Sequence, residues 1–152
     1  MSVLIRSMAR RCRSLAVMLG AAAVMLVTNP EAGTAAELLQ CQIVSGTQYR
    51  LTVSYATARR GQDTVQQFDA ELELNPSAGF REGQVVQFLV RGVMVGRRKL
   101  EIDRNGDLDA DLKLSTEFRK GPRAWPDDFP RVVKGTPVVA RIGGRQIATC
   151  KL

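Results

Sequence analysis

From position 49 onward, apolar and polar residues alternate one by one along most of this chain, and no other feature limits its fold so tightly. Tyr49, Leu51, Val53 and Tyr55 alternate with Arg50, Thr52, Ser54 and Ala56. Phe68, Ala70, Leu72 and Leu74 alternate with Gln67, Asp69, Glu71 and Glu73. A period of two sends successive side chains to opposite faces, which is the pattern of a half-buried strand and not of a helical stripe. Residues 84–91 repeat it with Val86, Phe88 and Val90, and residues 108–114 repeat it with Leu108, Ala110, Leu112 and Leu114. Leu100 and Ile102 continue the series, and residues 138–142 and 146–150 close it.

Turn chemistry separates these runs. Residues 59–63 are polar and contain Gly61. Asn75-Pro76 ends a strand because proline has no ladder donor. Gly92 and Gly96 mark a turn and a bulge, and Gly143-Gly144 reads as a two-residue hairpin. Seven to nine short strands, each with one apolar and one polar face, predict an all-β chain. The expected architecture is an antiparallel, immunoglobulin-like two-sheet sandwich, with a small barrel as the neighbouring solution. The only tryptophan, Trp125, lies outside every strand pattern, so the strand tryptophan of immunoglobulin domains has no counterpart.

The first 36 residues read differently. Arg6, Arg10, Arg11 and Arg13 precede the apolar run of residues 15–27, which Asn29-Pro30 breaks before the small residues 33–36. Charge, short apolar core and small-residue site are the order of a signal peptide, expected as a signal helix cleaved after Ala36 or Ala35. The run is shorter than the roughly 20 residues that span a bilayer. No membrane span is expected after its removal, and the alternative is an uncleaved anchor. Cys12-Arg13-Ser14 does not supply the apolar residues that a twin-arginine signal needs. Gln40 occupies the position where a lipoprotein site needs a small residue before Cys41. The expected destination is secreted or periplasmic, with residues 37–152 as one domain.

Export changes the meaning of the cysteines and of the charge. Of three cysteines, Cys12 falls in the leader, leaving Cys41 and Cys150 near the two ends of the domain. In an oxidising compartment such a pair reads as a disulfide tying the first strand to the last. Four of the 22 basic residues and one of the 15 acidic residues leave with the leader, so the formal charge of +7 falls to +4. That balance is ordinary for a soluble domain and calls for no nucleic acid.

The chain has no histidine, which excludes Ser-His-Asp and Cys-His mechanisms and histidine-ligated metals. Residues 101–111 (EIDRNGDLDAD) invite a calcium reading, with Glu101, Asp103, Asp107 and Asp109 as candidate ligands. An EF-hand loop beginning at Asp103 would need glycine where Leu108 stands and glutamate where Leu114 stands. Strand parity suggests a hairpin with Ile102 opposite Leu108 and Leu100 opposite Ala110, around a three-residue loop Arg104-Asn105-Gly106. That register sets Asp103 against Asp107, Glu101 against Asp109 and Lys99 against Asp111. Four carboxylates then share one exposed face, where a cation, the nearby Arg97, Lys99 and Arg104, or solvent would relieve the repulsion. Exposed carboxylates of this kind keep near-ordinary pKa values and make poor acids at neutral pH.

Residues 115–134 form the longest stretch without strand pattern. They place Arg119, Lys120, Arg123, Arg131 and Lys134 around Phe118, Trp125 and Phe129. Arg123, Trp125 and Phe129 are the candidate contacts, because arginine and tryptophan anchor interfaces. The alternative is that Trp125 and Phe129 fold back and close one end of the sandwich. Arg59-Arg60 and Arg97-Arg98-Lys99 are short basic clusters that also protect sheet edges.

The reading that follows is an exported, non-catalytic module binding a protein or surface polymer through residues 115–134, with no cofactor. A calcium-stabilised structural domain built on residues 101–111 is the alternative, and a small hydrolase with a carboxylate site is the second. The chain resembles exported β-sandwich modules in general, through its leader, strand spacing and terminal cysteines.

Overall fold

A computed structural model describes residues 37–152; the expected signal peptide and Cys12 lie outside the described residues. Nine strands follow in order: β1 (Glu37–Ser45), β2 (Tyr49–Arg60), β3 (Asp63–Leu74), β4 (Val85–Val90), β5 (Val93–Lys99), β6 (Glu101–Ile102), β7 (Leu108–Ser115), β8 (Pro137–Ile142) and β9 (Arg145–Lys151). They form a five-stranded sheet, β1-β2-β3-β7-β6, and a four-stranded sheet, β5-β4-β8-β9, with every strand pairing antiparallel. Leaving β1 aside, the order β2-β3-β7-β6 against β5-β4-β8-β9 reproduces the A-B-E-D and C′-C-F-G layers of the immunoglobulin sandwich. β1 is an extra strand on the A edge.

The alternation seen in the sequence becomes the core. Leu51, Val53, Phe68, Leu72 and Leu112 from the larger sheet meet Val86, Phe88, Val90, Val138 and Ala140 from the smaller one, all buried. In antibody domains the strand at this place in the order carries a buried tryptophan; here β4 carries the fully buried Phe88. The disulfide also departs from that pattern. Cys41 and Cys150 are bonded, with Cα atoms 5.9 Å apart, joining β1 to β9 at one open side of the sandwich.

On the other side the chain itself crosses between sheets, at Leu100. This residue is fully buried, donates its N–H to Gln84 O at 2.8 Å and accepts from Gly83 N at 2.8 Å. Leu100 therefore pairs with residues 83–84, and the expected Leu100–Ala110 and Lys99–Asp111 pairs do not form. The hairpin instead begins at Glu101, with Glu101 and Ile102 opposite Asp109 and Leu108. Ile102 keeps the expected register but is 57% exposed, because β6 is an edge strand.

The turns follow their residues. Gly143-Gly144 (φ +57° and +80°) and Arg91-Gly92 (φ +50° and +84°) close two-residue hairpins in which both central residues have positive φ. β2 and β3 run further than the polar segment suggested, pairing up to Arg60 and Asp63. Gly96 lies at the β5 irregularity for a different reason: a Cβ there would sit 2.6 Å from Leu112 Cδ1.

Candidate functional site

The loop after β7 is pinned to the sandwich at several points. Ser115 N donates to Arg123 O at 3.0 Å, and Ser115 bridges Ala124. Arg98 donates from Nε to Asp111 O (3.0 Å) and from Nη2 to Pro122 O (2.6 Å), so one guanidinium ties β5, β7 and the loop together. Trp125 and Phe129 stack with ring centroids 4.0 Å apart. Phe129 meets buried Phe68 edge-on at 5.3 Å, and Trp125 lies 6.5 Å from Tyr55. Both are half-buried against the core. Trp125 and Phe129 thus close this end of the sandwich, as the fold-back alternative expected.

What the loop offers to solvent is its other residues. Phe118 is 44% exposed, and Arg119, Lys120 and Arg123 are exposed beside it. Phe118 and Arg123 line a cavity of about 160 Å³ with Gln67, Asp69, Lys113, Leu114 and Ser115. Burial raises the Asp69 pKa above the ordinary carboxylate value, and the neighbouring Lys113 and Arg123 partly offset this. Of the three residues suggested by the sequence, Arg123 faces solvent while Trp125 and Phe129 support the loop. Phe118 carries the exposed aromatic surface, which composition alone could not separate from the other two.

The four acidic candidates on residues 101–111 divide into separate roles. Asp103 Oδ1 accepts from Asn105 N (2.8 Å) and Asp107 N (2.9 Å), and Asp103 N donates to Asp107 O. With Gly106 at φ +87°, this is the expected three-residue loop, and the Asp103 carboxylate is engaged in closing it. Asp107 turns toward a cleft of about 400 Å³ that also includes Arg50, Glu73 and Asn75. Glu101 and Asp109 are direct cross-strand partners on the outer face.

Asp109 continues a row the sequence did not reveal: Arg50, Glu73, Asp109 and Glu101 lie directly opposite one another across β2, β3, β7 and β6. Glu71 and Asp111 oppose each other in the next row. Arg50 pairs with Glu73 (Nε to Oε2 at 2.8 Å), and Lys113 pairs with Asp111. Asp109 has no such partner, and its Oδ1 is buried without a hydrogen bond. Burial first, then the charges of Glu71, Asp111 and Glu73, push its pKa up to about 6. The expectation of near-ordinary pKa values therefore fails at Asp109, first because β7 is half-buried there between β3 and β6, and then because Glu71 and Glu73 are brought beside it from 38 and 36 residues earlier in the chain. Among the described residues, no group of three or more His, Cys, Asp or Glu side chains is arranged to hold a metal ion.

The other sheet has the opposite character. β4, β5, β8 and β9 carry Arg97, Arg98, Lys99, Arg141, Arg145 and Lys151 and no Asp or Glu. Comparison with known protein families, with curated proteins and with solved structures finds no match for this chain.

Proposed function

We propose that this protein is an exported, non-catalytic immunoglobulin-like module that binds a protein or an anionic surface polymer through residues 115–134. The observation that carries the reading is Phe118, exposed among Arg119, Lys120 and Arg123 on a loop that is long but firmly anchored. An anchored loop loses little conformational freedom on binding, and an aromatic beside arginine supplies an interface anchor. Trp125 and Phe129 serve this site from beneath by fixing the loop's shape. The Cys41–Cys150 disulfide suits an oxidising compartment, in keeping with a secreted or periplasmic protein. No helix among the described residues is long and apolar enough to cross a membrane.

Retention on an immobilised anionic polysaccharide and on an immobilised acidic protein, each followed across a salt gradient, tests the proposal. Phe118→Ala and the triple variant Arg119→Glu/Lys120→Glu/Arg123→Glu are expected to elute at much lower salt than the parent, with unchanged melting temperature. Parent-like retention of both variants on both supports would overturn it.

A further inference from the structure

Among the described residues the sandwich has four edge strands, and three are protected against pairing with another chain. β6 has only two residues. β5 carries Arg97, Arg98 and Lys99 and is irregular at Gly96. β9 carries Arg145 and Lys151 and has a register shift against β8. Short length, basic side chains and bulges are the usual devices that keep sheet edges apart. β1 has none of them. It pairs with β2 through nine uninterrupted positions and contains no Lys, Arg or Pro. No described strand pairs with its other side. Leu38 and Val44 are each 57% exposed, and Ile43 is also exposed.

The sequence of β1 points to what would cover it. Glu-Leu-Leu-Gln-Cys-Gln-Ile-Val-Ser is symmetric in residue character about Cys41. We propose that β1 is a self-association edge, at which a second copy of this chain pairs antiparallel, β1 to β1, about a two-fold axis at Cys41. In that register Gln40 faces Gln42, Leu39 faces Ile43, and Leu38 faces Val44 of the other copy. Every exposed apolar residue of the strand meets an apolar residue, and each glutamine meets a glutamine.

The backbone permits this pairing. The β1–β2 turn closes with Gln48 N donating to Ser45 O at 2.9 Å, which turns the Ser45 backbone toward β2. Strand alternation then directs the N–H and C=O groups of Leu38, Gln40, Gln42 and Val44 to the free edge. Gln40 and Gln42 of the two copies become mutual hydrogen-bonded pairs, and the two Cys41 residues a non-hydrogen-bonded pair. A two-fold contact uses the same patch on both copies, so the assembly closes as a dimer. The Cys41–Cys150 bond holds β1 in place from the inner side.

Light scattering on size-exclusion fractions of the oxidised protein, recovered from an exporting host over a wide concentration range, tests the proposal. The parent is expected to show twice the monomer mass at high concentration. Gln42→Pro removes one outward N–H and leaves every β1–β2 backbone bond in place, losing besides only the exposed Gln42 Nε2 to Thr52 Oγ1 hydrogen bond (3.3 Å). It is expected to give a monomer, with a melting temperature matching that of a Gln42→Ala control that lacks the same side-chain bond. Leu38→Lys/Val44→Lys sets lysine opposite lysine twice and is also expected to be monomeric. Leu38→Lys/Val44→Glu sets lysine opposite glutamate twice and is expected to restore the dimer. A parent that stays monomeric throughout overturns the proposal, as does a dimer that survives both disruptive variants. A monomeric Leu38→Lys/Val44→Glu protein overturns the register.

Discussion

Asp109 shows how much a single position can depend on strands that meet only in three dimensions. Its carboxyl is half-buried beside Glu71, Glu73 and Asp111, and its pKa stands at about 6. The folded state therefore holds this proton more tightly than the unfolded chain, whose aspartate titrates near the ordinary value of 3.8. The stabilisation is complete below about pH 4. It is lost as pH rises toward 6, and above that the ionised group works against folding. Asp109→Asn is thus expected to raise the melting temperature at pH 7.5, to change it little at pH 4, and to flatten the profile between them. Thermal unfolding across pH checks both arms. Gly96 illustrates a different constraint, since its backbone φ is ordinary and the limit is space. A Cβ would meet Leu112 Cδ1 at 2.6 Å, and Leu112 is fully buried. Gly96→Ala is expected to cost about 1–3 kcal/mol, the usual range for overpacking a core, as measured by chemical denaturation.

The individual elements explain what was legible in the chain. The hairpin around Arg104-Asn105-Gly106 was readable because parity and turn chemistry agreed: only a three-residue loop put Ile102 and Leu108 on the same face. The crossing at Leu100 was not, because an apolar residue that changes sheets leaves the same two-residue period as one that stays. The acidic row was invisible for a related reason, since pairing of β3 with β7 depends on the topology and not on any local signal. In the loop of residues 115–134 the sequence points to Trp125 and Phe129, with Arg123, as contacts and passes over Phe118; only packing shows that Trp125 and Phe129 lie against the core while Phe118 is exposed. Trp125 bridges Phe129 and Tyr55, so its removal opens the end of the core. Trp125→Ala is expected to cost about 3 kcal/mol, the low end for a tryptophan truncation because the ring is partly exposed. Phe118→Ala is expected to leave stability unchanged, and parallel denaturation curves of the two variants make the comparison.

At the scale of the whole molecule, two sheets of opposite charge are held together by a core and by a link at each open side. One link is the chain itself at Leu100; the other is the Cys41–Cys150 bond. β1 depends on the second, because Leu39 and Cys41 are its only residues packed against the core. The bond closes a loop with a sequence separation of 109. In the chain-entropy account, a loop of that size gives about 4–5 kcal/mol. Cys41→Ser/Cys150→Ser is expected to lose up to that amount in equilibrium unfolding. The loss should also be uneven. β2, β3 and β7 remain tied to the core by continuous ladders and fully buried side chains, whereas β1 keeps only its pairing with β2. Hydrogen exchange of the double variant is therefore expected to show β1 amides opening well before those of β3. Equal loss of protection in both strands would mean instead that the bond stabilises the sandwich as a single cooperative unit.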